Sequence, residues 1–168
     1  MEWRTGDMIS VCKEIDADGI VFTANSVVKD VKGTKELVMG GGAALRVYQY
    51  FPKSLASSLA NIISPKGAVG VQPDYYFSGV SFKRSKHVSQ LFYVFALQVK
   101  RHYANPGDLD LTIESLKQLA TWCKENPDKQ LVLNCPLIGL GGFSAQTDKV
   151  KGIVESILGN TNVVVTIL

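Results

Sequence analysis

Residues 133–147 read Leu-Asn-Cys-Pro-Leu-Ile-Gly-Leu-Gly-Gly-Phe-Ser-Ala-Gln-Thr: an apolar run, three glycines, one aromatic, then residues that suit a helix start. A strand that ends in glycines and feeds a helix exposes backbone N–H groups beside the positive end of a helix dipole, which is a place to hold phosphate. Met39-Gly40-Gly41-Gly42-Ala43 makes a second turn of this kind. A Cβ there would hold a phosphate away from the backbone donors, so the role asks for glycine. Glycine is also the default wherever φ must be positive, and either turn could serve the chain alone. Two such turns on one small chain predict a ligand with two linked phosphates, gripped from both sides. Neither fits a P-loop or the dinucleotide GxGxxG fingerprint: no lysine follows Gly142, and the expected downstream acid is absent.

Other side chains suit the same chemistry. Asp7, ahead of a helical stretch, is either an N-cap or an acceptor for a ligand donor. Asn25 closes an apolar strand; it serves an Asx turn or, donating and accepting at once, ribose hydroxyls. Phe143 is a core plug or a flat wall for a sugar. Lys100 is a solvated lysine, a partner for phosphate, or a nucleophile if burial lowers its pKa. His102 and His87 stand alone, no spacing suggests a metal site, and no Ser-His-Asp set is visible.

The elements that must position these residues follow from the pattern along the chain. Met1–Arg4 reads as a short strand, and Met8–Ile15 as a helix with Met8, Val11, Cys12 and Ile15 on one face. Ile20–Ala24 is a buried strand tipped by Asn25-Ser26. Val27–Val38 reads as a polar, lysine-bearing loop into the first glycine turn. Helices follow at Ala43–Phe51 and Ser54–Ile63, then one or two strands within Gly67–Phe82 and a basic turn, Lys83–Lys86. Gln90–Val99 is a strand with Lys100 at its carboxyl end. A long helix from Asp108 or Asp110 to Asn126 comes next, then a strand over Gln130–Cys135, a helix from Ser144 or Ala145 to Leu158, and a last strand, Asn162–Leu168. Alternating strands and helices predict an α/β fold, a mostly parallel or mixed sheet with helices on both faces. Ligands in such sheets bind beyond the carboxyl ends of the strands, where Asn25, the Met39–Ala43 turn, Lys100 and the Gly139–Phe143 turn all fall.

Composition sets outer bounds. At 168 residues, with 46% apolar and 20% charged side chains, the expectation is one globular domain over 1–168. A net charge of +3 would favour an anionic ligand. The basic residues Lys83, Arg84, Lys86, Lys100 and Arg101 are too few and interrupted to put nucleic-acid binding first. Three cysteines without a CxxC pair fit a reducing compartment, and neither a signal region nor a membrane-spanning run is present, so the expected location is cytoplasmic with no membrane partner.

Over nearly the whole chain these residues resemble the macrodomains, which bind ADP-ribose and related compounds. Gly6-Asp7-Met8 resembles the family's Gly-Asp-Ile segment, whose aspartate accepts a hydrogen bond from the adenine amino group. Val21–Ser26 resembles the strand end Val-Asn-Ala-Ala-Asn-Ser, with Asn25 on the asparagine that faces the distal ribose. Met39–Ala43 is similar to the first phosphate loop and Pro136–Phe143 to the second. The details look most like the branch of the terminal ADP-ribose protein glycohydrolase and a fungal ADP-ribose-1''-phosphate phosphatase. Lys100 falls on the lysine that, in the glycohydrolase, attacks the sugar carbon. Three positions depart: Phe22 replaces the first asparagine, Ala44 an aspartate of larger hydrolase branches, and Phe143 the helper aspartate of the lysine branch.

The resemblance implies a three-layer α/β/α fold around a central mixed sheet. It implies a binder of ADP-ribose or a derivative, free or attached to a protein or nucleic acid, needing no cofactor or metal. The ligand-binding residues would be Asp7, Met8, Asn25, Ser26, Gly40, Gly41, Gly42, Ala43, Ile138, Gly139, Leu140, Gly141, Gly142 and Phe143. The alternative is a hydrolase on an ADP-ribose derivative, either a 1''-phosphate phosphatase or an enzyme releasing ADP-ribose or an acyl group. In that case Asn25 and Lys100 would orient or attack the distal ribose.

Overall fold

The computed structural model describes residues 1–63, 70–71, 75–85, 88–136 and 147–167. In chain order the elements are β1 (Glu2–Thr5), α1 (Met8–Ile15), β2 (Gly19–Ala24), β3 (Val27–Val31), β4 (Thr34–Leu37), α2 (Gly42–Tyr50) and α3 (Ser54–Ile63). They continue as β5 (Gly70–Val71), β6 (Phe77–Ser85), β7 (Val88–Gln98), α4 (Leu109–Glu125), β8 (Leu131–Asn134), α5 (Thr147–Leu158) and β9 (Val163–Ile167). Among the described residues the main sheet has six strands in the order β1-β9-β8-β2-β7-β6. All neighbours are parallel except β6, which runs antiparallel to β7. This is the expected α/β/α arrangement with a central mixed sheet.

Strand alternation explains the layers. Ile20, Phe22, Ala24, Val94 and Ala96 face α1, α2, α3 and the β3–β4 hairpin. Val21, Phe95, Leu97, Leu131 and Leu133 face α4 and α5. Central strands buried on both faces read as continuous apolar runs, which is why β2, β7 and β8 are so plain in the sequence. Phe22 is fully buried in the first of these layers, so its ring serves packing.

Two expectations are corrected. Val27–Val38 is a hairpin instead of a loop: Lys32 and Gly33 both have positive φ (53° and 84°), the signature of a two-residue turn whose twist matches paired strands. Asp30 Oδ1 accepts from the Gly33 N–H at 2.7 Å and fixes that turn. The charges that suggested a loop face each other in the ladder, Lys29 opposite Glu36 and Asp30 opposite Lys35, while Val28 and Leu37 are buried. Lys83 and Arg84 likewise belong to β6 instead of a turn, because Arg84 reaches back to Asp16 (3.1 Å), Asp18 (3.6 Å) and the Ala17 carbonyl. Lys86 and His87 lie outside the described residues. No helix among the described residues is long and apolar enough to cross a membrane.

The sheet leaves no room where β2 passes β7. A Cβ on Gly19 would lie 2.5 Å from the Tyr93 backbone carbonyl and 2.9 Å from a Leu131 methyl. A backbone oxygen inside a ladder cannot step aside, so Gly19→Ala should cost about 1–3 kcal/mol as overpacking does. Urea denaturation reads this directly; an unchanged midpoint would mean that the two strands are free to separate.

Candidate functional site

The site begins where a ladder stops. β2 pairs with β7 as far as Ala24–Gln98, and β8 pairs with β9 as far as Asn134–Thr166. Between β2 and β8, however, pairing ends at Val21–Leu133. Beyond it the Asn134 side chain replaces the backbone: its Oδ1 accepts from the Thr23 N–H and its Nδ2 donates to Thr23 Oγ1, both at 2.9 Å. The strands splay, and a cleft of about 860 Å³ opens over their carboxyl ends. That volume is in the range of small-molecule sites. Thr23, Asn134, Cys135 and Thr166 lie along its floor, and none of the four was predicted to take part. A polar residue ending the apolar run Leu-Val-Leu-Asn was the available signal for Asn134.

One wall is the amino end of α2. Gly40, Gly41, Gly42 and Ala43 all line the cleft. Gly42 has φ +56°, so the chain itself favours glycine there. Gly40 and Gly41 do not have positive φ, and among the described residues a Cβ on either would meet nothing within 4 Å. No described neighbour requires glycine at those two positions, although Gly41, as the N-cap of α2, stands where glycine is preferred to larger aliphatic residues. The helix they introduce also lacks a side-chain cap, whereas α1 and α4 begin under Asp7 and Asp108. Helix N-termini leave their first N–H groups without intrahelical partners, and no described side chain caps these.

The opposite wall is the start of α1. Asp7 caps that helix, its Oδ2 accepting from the Ser10 backbone and from Ser10 Oγ, each at 3.0 Å. Arg46 of α2 meets the same carboxylate, with Nε 3.3 Å from Oδ1 and Nη2 3.2 Å from Oδ2. Arg46 was not predicted, yet it follows Gly42 and Ala43 at helical spacing and so shares their face. Burial pushes the Asp7 carboxyl up, but the hydrogen bonds from Arg46 and Ser10 outweigh it and hold the group below its ordinary value. Met8 lines the cleft beside it and is otherwise buried.

Asn25 and Lys100 also line the cleft. The Asn25 amide is largely engaged: Nδ2 donates to the Val38 carbonyl (2.8 Å) and Oδ1 accepts from the Val27 N–H (2.7 Å). It therefore ties the root of the β3–β4 hairpin to the rim, the Asx-turn role, while lining the cleft. Ser26 is fully buried beneath the rim, its Oγ donating to the Lys100 carbonyl at 3.3 Å. Lys100 Nζ donates to the Tyr103 carbonyl at 3.3 Å, and Tyr103 adds an exposed ring to the wall. Ile138, Gly139, Leu140, Gly141, Gly142 and Phe143 lie outside the described residues.

Two further arrangements bear on chemistry. Lys83 pairs in register with Leu91 near the start of β7, and Lys100 follows its end, so nine residues of extended chain, roughly 30 Å, separate them. Lys83–Arg84 and Lys100–Arg101 thus lie at opposite ends of the sheet and make no continuous basic face. Among the described residues, no three His, Cys, Asp or Glu side chains gather as a metal site would require.

The Asp7–Arg46 pair generates a prediction. In a carbon-detected NMR titration Asp7 should titrate below the unfolded value of about 3.9, and Arg46→Gln should move it upward. A folded pKa below the unfolded one adds stability that is present above about pH 4 and lost as the pH falls through the folded pKa. Arg46→Gln should therefore be less stable than the native chain near neutral pH and equal to it in acid. A stability difference that does not vary with pH would separate Arg46 from the Asp7 charge.

No protein-family model and no curated protein matches the chain. Solved structures do. The macrodomain of Thermus aquaticus DarG is similar over 99% of this chain and 97% of that one, with a TM-score of 0.67 at 21% identity. Thermosipho africanus DarTG in complex with ADP-ribose is similar over 99% of this chain and 41% of that one, TM-score 0.71, 18% identity. For the macrodomain of Mycobacterium tuberculosis DarG the shares are 98% and 95%, with TM-score 0.65 and 18% identity. At such identities the likeness is one of architecture, and the chain has the macrodomain fold.

Proposed function

We propose that this protein binds ADP-ribose, or a compound that carries it, in the cleft over the β2–β8 break. The observation that carries the reading is the wall at Gly40–Gly42: two glycines that no described neighbour requires, leading a helix with no side-chain cap among the described residues, all lining the cleft. Bare N–H groups at a helix start, with no side chain in front of them, suit a diphosphate. Asp7 lies four strands from Lys100 along the sheet, about 19 Å at the usual interstrand spacing. That reach suits an extended ligand with its base at Asp7 and Met8, its phosphates over Gly40–Ala43 and its far ribose at Asn25. The ADP-ribose held by the Thermosipho DarTG of like fold supports the same assignment. A macromolecule bearing ADP-ribose is the natural partner, in the cytoplasm.

Calorimetry with ADP-ribose tests this. Micromolar affinity, about 8 kcal/mol, is expected; absence of both heat and thermal shift would end the reading. Gly41→Val sharpens the test, because its extended φ of −158° and empty surroundings accept a side chain. Because Gly41 is the N-cap of α2, where valine is disfavoured, the variant's stability should fall by about 1 kcal/mol, leaving the chain folded. Its affinity should fall at least tenfold, the valine standing where the phosphate belongs; undiminished affinity would move the diphosphate elsewhere.

Turnover is a second reading, favoured by Lys100 lining the cleft. An amine there could attack the anomeric carbon of a distal ribose and displace its substituent. Borohydride added during incubation with an ADP-ribosylated peptide should then leave an ADP-ribosyl adduct on Lys100, absent in Lys100→Met. Release of phosphate from ADP-ribose-1''-phosphate at equal rates by the native chain and Asn25→Ala would remove Asn25 from any catalytic part.

A further inference from the structure

We propose that the chain carries a second binding pocket, at the end of the sheet opposite the cleft, built for a small aromatic carboxylate. A hollow of about 250 Å³ opens there between α1, the end of α2 and the β6–β7 pair. No described residue lines both this hollow and the cleft. The same two helices serve both places: their amino ends, at Met8 and Gly42, border the cleft, and their carboxyl ends, at Asp16 and Tyr50, border the pocket.

The wall is aromatic. Phe51 closes α2, and Phe82 stands opposite Phe92 in the β6–β7 ladder. The centroids of these three rings lie 5.9, 5.9 and 6.0 Å apart, within the range of interacting aromatic pairs, so they make one apolar surface. Across from them Ile9, Cys12, Lys13 and Asp16 recur at helical spacing and give the pocket one face of α1. A cavity of about 150 Å³ is enough to hold benzene. The hollow therefore has room for one ring and a short polar arm.

The charges around it decide the arm. Arg84 lines the pocket and is matched by Asp16 (3.1 Å), Asp18 (3.6 Å) and the Ala17 carbonyl. Both of those carboxylates are thus spent. Arg84 Nε is buried and meets no acceptor among the described residues, although folded chains ordinarily satisfy such donors. The helix-end carbonyls are occupied as well: Cys12 O accepts from the Ala17 N–H (3.0 Å), Lys13 O from the Asp16 N–H (3.3 Å) and Val47 O from the Phe51 N–H (3.0 Å). What remains is Lys13. Its ammonium lies 4.5 Å from the centre of the Tyr50 ring and pairs with no carboxylate among the described residues. A ligand with one aromatic ring and one negative charge matches both halves, its ring on Phe51, Phe82 and Phe92 and its carboxylate at Lys13. A cationic ring compound would instead add a third positive charge beside Lys13 and Arg84.

Phenylacetate, 2-phenylacetamide and benzylamine share the ring and differ in charge, and methyl-resolved NMR of the native chain compares them. Phenylacetate should shift the methyls of Ile9 and Ile20, which line the pocket, and leave those of Met8 and Val38, which line the cleft, in place. The shifts should saturate with a Kd of about 1 mM, ordinary for so few heavy atoms. The amide should bind about threefold more weakly, as loss of an exposed ion pair dictates, and benzylamine more weakly still. Lys13 is exposed and methionine suits helices, so Lys13→Met should fold, which circular dichroism verifies. It should bind phenylacetate no better than the amide. Absence of saturable shifts at Ile9 and Ile20 would overturn the proposal. So would equal binding of the three compounds by the native chain, or a Lys13→Met chain that keeps the preference. Calorimetry with ADP-ribose is indifferent to each of these results, because the two sites share no described residue.

Discussion

The whole site depends on one interruption of backbone pairing. β2 and β8 are parallel neighbours in the middle of the sheet, and a continuous ladder would seal the space between their carboxyl ends. It stops after Val21–Leu133, and the freed Thr23 N–H is met by the Asn134 side chain. An apolar residue at 134 would leave that part-buried donor without its partner, at a cost of about 1 kcal/mol. The asparagine thus lets the strands part without an unsatisfied group at the point of parting. Because β8 remains paired with β9 and β2 with β7, the opening is confined to a single gap and the rest of the rim stays continuous.

Around that gap, short polar side chains hold the groups that the sheet no longer pairs. Ser26 binds the Lys100 carbonyl, Ser115 the Gln98 carbonyl at 2.6 Å, and Thr166 the Leu133 carbonyl at 3.3 Å. Asn25 does the same for Val27 and Val38. A rim built this way is firm before any ligand is present, which reduces the ordering that binding would otherwise require. It also explains why Asn25 has two readings at once. One Nδ2 hydrogen goes to Val38, and the amide still borders the cleft, so a structural duty and a ligand contact are compatible in one residue.

The sequence made the sheet and its helices legible because the central strands are apolar on both faces and α1, α4 and α5 carry a single apolar stripe. Even the ends fell close: α3 spans Ser54–Ile63 and α1 Met8–Ile15 as read from the pattern. The hairpin at Val27–Leu37 was hidden because its charges pair across two strands, and cross-strand pairing has no trace along one. Asp7, Asn25, Lys100 and Gly40–Ala43 were visible as residue types at strand and helix ends, and the fold brings them to one cleft. Arg46 was not visible as a site residue: its part arises from the meeting of α1 with α2, which lie some forty positions apart, and no local pattern encodes it. Thr23 and Thr166 were obscured in the same way, since a threonine in a β-branched run looks like any strand residue.

The first glycine turn shows how a structure separates two explanations that a sequence cannot. At Gly42 the backbone turns left-handed, and glycine there satisfies the chain whatever the ligand. At Gly40 and Gly41 the same residue type answers no positive φ and no steric demand from the described residues. Alanine at Gly40 would restrict the unfolded chain and stabilise the protein by about 0.4–1 kcal/mol, whereas at Gly41, the N-cap of α2, glycine is already preferred to alanine. A chain that leaves Gly40 bare forgoes that stability and keeps the wall of the cleft open to backbone contact. Something that approaches the N–H groups of α2 more closely than a methyl group would permit accounts for both glycines and for the missing cap with one cause.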